Sequence, residues 1–126
     1  MINRRPYVAE SVIQPGTAVV QGSADNKVKA PGENGAGDFI GLYPYEANEA
    51  KTANESTGIV LHGVAKALAG GTVAAGKKAI LKADTSGSLV VLPSTAGNYN
   101  TVGTFLEGGS AGDYVDVLIE RGFVKI

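Results

Sequence analysis

The chain has no cysteine and no tryptophan, and a single histidine and a single methionine among its 126 residues. Without cysteine there is no disulfide, no thiolate metal site and no cysteine nucleophile, so stability must come from packing or from neighbouring chains. That fits synthesis in a reducing cytoplasm. His62, lying between Leu61 and Gly63 in an apolar run, has no second imidazole to complete a multi-histidine metal site, and no carboxylate stands at a diagnostic spacing from it. Its expected role is structural. An excess of charge of one sign is also lacking: 11 basic and 12 acidic residues are scattered along the chain and leave a formal net charge of -1. Nucleic acid and anionic membrane surfaces are therefore not expected partners, because both select for a basic patch. No apolar run approaches the ~20 residues of a membrane-spanning helix. The start, Met1 to Tyr7, carries Arg4 and Arg5 with no apolar core behind them, so no secretion signal is read there.

What the chain has in excess is glycine, 18 residues, about twice the usual share. Three stretches repeat one design: Gln14-Pro15-Gly16-Thr17-Ala18-Val19-Val20, Ala74-Ala75-Gly76-Lys77-Lys78-Ala79-Ile80-Leu81 and Ser110-Ala111-Gly112-Asp113-Tyr114-Val115-Asp116-Val117-Leu118. Each sets a glycine after a small or cyclic residue, where the backbone turns sharply, and then starts a strand of β-branched and apolar residues. Pro15-Gly16 suits a type II turn, proline fixing the first corner and glycine taking positive φ at the second. Strands are expected over 18–21, 27–30, 39–43, 59–68, 78–83, 88–92, 101–106, 113–120 and 122–126, with a bulge or bend at Gly63. This short, regular spacing predicts an all-β fold, a compact β-barrel or sandwich, as a single β domain over residues 11–126.

Residues 1–10 read as an extended N-terminal arm, since Arg4, Arg5 and Pro6 are poor material for a buried strand. Such arms order on partners, and a frayed terminus has the same composition. At most one short helix is expected, over 46–55, with a surface turn or loop as an equal alternative because alanines alone separate its charged residues. The stretch 63–76 echoes 103–112, both reading strand, Gly-Gly turn, Ala-Gly turn, and this is taken as recurring hairpin geometry within one barrel.

Motifs that would carry chemistry fall short. Gly71-Thr72-Val73-Ala74-Ala75-Gly76-Lys77 begins like a phosphate-binding loop, but Lys78 stands where a Mg²⁺-binding Ser or Thr belongs and the following residues read as strand, not helix. Asp113 and Asp116 are three apart and face opposite sides of a strand, so they make no acid/base pair. Asn54-Glu55-Ser56 matches a glycosylation acceptor by chance if there is no signal peptide. No enzyme activity, cofactor or metal is expected. The tyrosines are the residues to watch for contacts, because the ring buries well while the hydroxyl bonds. Tyr43-Pro44-Tyr45, ending a strand beside a polar loop, is the best placed.

The order Pro15-Gly16-Thr17-Ala18-Val19, Ile40-Gly41-Leu42, Gly63-Val64-Ala65, Val73-Ala74-Ala75-Gly76-Lys77, Leu81-Lys82-Ala83-Asp84-Thr85-Ser86-Gly87, Val102-Gly103-Thr104-Phe105-Leu106 and Gly112-Asp113-Tyr114-Val115-Asp116-Val117-Leu118 resembles the small capsid decoration, or cement, proteins of tailed bacteriophages. The resemblance implies a non-enzymatic barrel-like virion protein, often a homotrimer, made in the host cytoplasm. It would bind the outside of the phage head and reinforce contacts between major capsid protein subunits. The family supplies no contact motif. Asn3, Arg4, Arg5, Pro6 and Tyr7 in the arm, with Tyr43 and Tyr45, are the candidate capsid contacts. The alternative is a β-barrel module of a surface or fibre protein that binds carbohydrate or another ligand, against which the lack of tryptophan counts.

Overall fold

Strands form where β-branched and apolar residues alternate between turn signals. The computed structural model describes residues 3–47 and 49–126, for Asn3 the backbone alone. Its strands are β1 (Asn3–Ala9), β2 (Ala18–Gln21), β3 (Lys27–Lys29), β4 (Phe39–Leu42), β5 (Ser56–Leu68), β6 (Lys78–Leu81), β7 (Leu89–Val91), β8 (Asn98–Phe105) and β9 (Tyr114–Lys125). The all-β expectation is met. The only helical elements among the described residues are 3₁₀ turns at Glu33–Gly35 and Tyr45–Ala47. Among the described residues of 46–55 there is no α-helix: the turn Tyr45–Ala47 reaches into its start and Lys51 makes an isolated bridge with Ile13, because the alanine-separated charges there offer no apolar stripe to bury.

The strands close into two rings that share β5. In the first, β1 pairs in parallel with β3, β3 with β2, β2 with β4, β4 with β5, and β5 back to β1. In the second, β5 pairs with β9, β9 with β8, β8 with β6 and β6 with β7, and a parallel bridge from Ala69 to Leu89 returns to the end of β5. β5 changes partners at Gly63: His62 and residues before it pair with β1, while Gly63 to Leu68 pair with β9. Gly63 has φ of +116°, a bend closed to residues with a Cβ, at the place where the sequence predicts one.

Ring closure corrects one reading of the sequence. Residues 3–9 are extended as expected, yet they are not a free arm: Arg4 pairs with Val60, Arg5 with Ile59, Pro6 with Gly58 and Tyr7 with Thr57. Tyr7 and Ala9 alternate into the core, Arg4 faces water, and Arg5, on the side of Tyr7, stays exposed by lying over the Tyr7 ring at the rim of the core. The echo of 63–76 in 103–112 lies within the second ring, where its two halves meet at the bridge between Val73 and Gly109; separate from it, and not drawn from the sequence, is the duplication of a whole ring.

The two rings have one topology and matched registers. Val19 opposite Gly41 and Leu42 opposite Val60 in the first ring correspond to Ala79 opposite Gly103 and Thr104 opposite Leu118 in the second. Gly16 donates its N–H to the Tyr43 carbonyl and Tyr43 returns one to Thr17; Gly76 and Phe105 make the same exchange, with Lys77 in the place of Thr17. Gly112, in the third turn, corresponds to Asn54: each takes positive φ, and their N–H groups go to the Ala69 and Ala9 carbonyls respectively. The acidic residue after each caps its own turn, Glu55 accepting from the Thr52 N–H and Asp113 from the Ser110 N–H. So Gly76 echoes Gly16, whereas Gly112 echoes Asn54.

Each ring has its own core. Tyr7, Ala9, Ile13, Val19, Val28, Tyr43 and Ile59 fill the first. Phe105, Leu89, Val102, Val115, Val117 and Ile119 dominate the second, and Ala18, Leu42 and Val60, from the outer face of the first ring, join that cluster. This shared packing joins the rings beyond the covalent link of β5.

Candidate docking surface

Pairing of β1 with β5 decides which of the sequence-derived contact residues can reach a partner. Tyr7 and Tyr43 are buried, 6% and 2% exposed, and the Tyr43 hydroxyl donates to the Glu49 carbonyl at 2.8 Å. Burial pushes the Tyr43 phenol up, with Glu49 and Glu55 adding to the rise. Both rings belong to the first core and are not free to contact anything else. Pro6 sits within the β1 pairing, and the Asn3 side chain lies outside the described residues.

Arg4, Arg5 and Tyr45 remain at the surface. Arg4 forms an ion pair with Glu46 across 42 positions of chain. The backbone N–H of Glu46 itself, and then Arg4, hold the Glu46 carboxyl below its usual range. The Arg5 guanidinium lies 5.0 Å from the centre of the Tyr7 ring and 3.2 Å from its hydroxyl, a cation resting on the aromatic edge of the core. Tyr45 packs on Tyr114 of β9, ring centres 4.3 Å apart and planes tilted by 40°. Both rings are more than a third exposed.

The short turn Tyr45–Ala47 thus points one residue at each ring of the fold, Glu46 to β1 and Tyr45 to β9. Gly16 makes room for this: a Cβ there would come within 2.7 Å of the Tyr114 ring. Next to Tyr114, Lys66 sits between Asp116 at 3.2 Å and Glu107 at 3.6 Å, and these carboxylates, Asp116 first, raise its ammonium. Beside Arg4 lies a shallow cleft of about 290 Å³ lined by Tyr43, Glu49, Lys51 and Thr57. The Thr57 hydroxyl is buried there with no hydrogen-bond partner among the described residues. Charges of both signs meet in this cleft, as they do beside Tyr114. The arrangement offers aromatic faces with paired charges, and aromatic side chains and arginine are enriched where proteins meet.

Residues weighed for chemistry fall elsewhere. His62 is half exposed on the outer face of β5, 3.6 Å from Glu120, outside the core that its apolar neighbours suggest. Lys78 opens β6, and its ammonium reaches the Thr104 hydroxyl at 3.2 Å, so no helix follows Gly76-Lys77. Tyr114, which completes the aromatic pair, was legible only as one tyrosine among several, since nothing local marks it as the partner of Tyr45.

No protein-family model matches the chain, and no curated protein matches it in sequence. Among solved structures, it is similar to the crystal structure of the head fiber gp8.5 N base in bacteriophage phi29: 15% of residues are identical, 100% of each chain is covered, and the TM-score is 0.64. In fold it is similar to a phage head-fibre base. Full coverage means that both rings, and not one barrel alone, lie within the likeness.

Proposed function

We propose that this chain is a virion structural protein that docks on the outer surface of a phage head and stabilises contacts between major capsid subunits. The observation that carries the reading is the fold likeness over the whole of both chains to a head-fibre base. The order of glycine and apolar positions, which resembles capsid decoration proteins, points the same way from the sequence. In this reading the protein is not an enzyme and needs no cofactor. It works as a homotrimer, because several modest contacts held by one rigid body multiply through effective concentration. The exposed pair Tyr45 and Tyr114, with Lys66 beside Tyr114 and Arg4 on the neighbouring Glu46, is the proposed docking face, and Arg5, exposed over the Tyr7 ring, is a further candidate contact. Large aromatic side chains together with arginine give such a surface most of its binding energy.

Cosedimentation of the purified protein with mature heads of the phage that encodes it tests the reading. Saturable pelleting with heads is expected, together with a solution mass near three times 12.8 kDa. Protein that stays in the supernatant at micromolar concentration would overturn docking, and a monomeric mass would overturn the trimer.

A further inference from the structure

The duplication gives every part of the second ring a counterpart for comparison, and at one place the two rings differ. In the first, the β2–β4 ladder continues past its irregularity: Val20 pairs with Phe39, and Gln21 donates its N–H to the Asp38 carbonyl at 2.8 Å. In the second, the equivalent β6–β8 ladder ends where Ala79 meets Gly103. Ile80 and Leu81 keep their partners on β7, Val90 and Leu89. On their other side lies a groove of about 720 Å³, walled by Asn98 to Val102 of β8 and reaching Phe39 and Phe123. β8 turns away to follow β9, Asn98 to Thr101 pairing with Lys125 to Gly122 in a ribbon. The first ring has no such ribbon, since its β4 and β5 pair only at Leu42 and Val60.

One topology therefore closes this gap in one ring and holds it open in the other. Folding does not require the opening, so the groove is the part of the second ring most free to serve a partner.

We infer that the groove is a binding site for one extended segment of the head-shell subunit, taken up as an added strand between β6 and β8. The inference rests on the docking reading above and names where that partner enters. A main chain fits because the walls are strand edges. Lys82 turns its N–H to the Ser88 carbonyl on the β7 side, so the N–H of Leu81 points the other way, into the groove, as successive strand amides alternate. An extended segment offers N–H and C=O groups at the spacing these edges present, and it supplies the pairing that β4 supplies in the first ring. The segment has an apolar centre. Phe39 and Leu81 are half-buried beside the second core, and Phe123 is 64% exposed at the groove. At the rim the Arg121 guanidinium donates to the Phe39 carbonyl at 3.2 Å, near Asp38. With both charges present, selection falls on main chain and apolar side chain, not on net charge.

Hydrogen exchange on the full chain, free and bound to mature heads, tests this. In the free protein the Leu81 amide should exchange at least 100-fold faster than that of Gln21, its paired counterpart. On heads, Leu81 should slow at least 100-fold with Gln21 unchanged. Phe123→Asp, at an exposed site, should weaken head binding at least tenfold without lowering the melting temperature, and Val12→Asp, away from the groove, should not weaken it. Leu81 already slow in the free protein means a closed groove and overturns the inference. Head binding with Leu81 still fast overturns the groove and leaves docking standing, whereas absence of head binding overturns both. Slowing that tracks protein concentration without heads identifies a second copy as the occupant and overturns the head-shell segment.

Discussion

Two glycines hold equivalent places where no side chain fits. A Cβ on Gly41 would lie 2.3 Å from the Val60 carbonyl oxygen, and one on Gly103 would lie 2.0 Å from that of Leu118. These contacts are with backbone in the middle of a ladder, so neither can yield. Gly41→Ala and Gly103→Ala should each cost more than about 3 kcal/mol in denaturant unfolding. Gly76 and Gly112 have open space but positive φ, and alanine there should cost roughly 1–2 kcal/mol through backbone strain alone. Equal losses at all four sites would contradict the close approach. Acid sensitivity is also set residue by residue. Glu10 and Glu55 lie below their usual 4.5, and Asp84 below its 3.8, each chiefly because a Ser or Thr hydroxyl donates to the carboxylate: Ser23, Thr52 and Ser86. A depressed carboxylate stabilises the fold above its unfolded pKa, and that support is lost as pH falls through the folded value. The melting temperature should therefore hold steady down to about pH 5 and fall below about pH 4. Serine-to-alanine changes at Ser23 and Ser86 should flatten that fall. For docking, Tyr45→Ala combined with Tyr114→Ala should weaken head binding about tenfold or more with the fold intact, read by cosedimentation and melting together.

Among the elements, β1 departs furthest from its sequence reading. Arg4, Arg5 and Pro6 look unlike a buried strand because local composition does not reveal which face a partner strand will cover. The partner, β5, begins at Ser56, about fifty residues away by sequence numbering. Deleting residues 1–9 is therefore expected to open the first ring and not merely to release a contact. Amides of Val19, Val20 and Val28 should lose protection in hydrogen exchange while those of Val117 and Ile119 keep theirs. Retained protection at Val19 would mean that β1 is dispensable. The turns were legible for the opposite reason. Pro15-Gly16, Ala75-Gly76 and Ala111-Gly112 encode their geometry within four residues, and their glycines take φ of +75°, +85° and +92°.

For the whole molecule, the stacked rings predict where large losses occur. Phe105 is fully buried in the second core, and its backbone clamps the Gly76 turn. Phe105→Ala should cost about 3–5 kcal/mol through the cavity it leaves. Because β5 runs through both rings and Ala18, Leu42 and Val60 pack onto the second core, both rings should melt in one transition. Two separated calorimetric peaks would show that β5 does not couple them.

The sequence by itself determined what lies within a few residues: the turns, most strand positions and the alternation that makes both cores. Only the tertiary structure decided which strands close which ring, that a whole ring is duplicated on a shared β5, that Tyr7 and Tyr43 are core while Tyr45 meets Tyr114, and that the second ring stays open along β6. The physical reason is that turn geometry and side-chain alternation are local, whereas strand partnership is set by main-chain groups common to nearly every residue. Those groups carry no residue-specific signal, so register and ring closure emerge only when distant strands pack together.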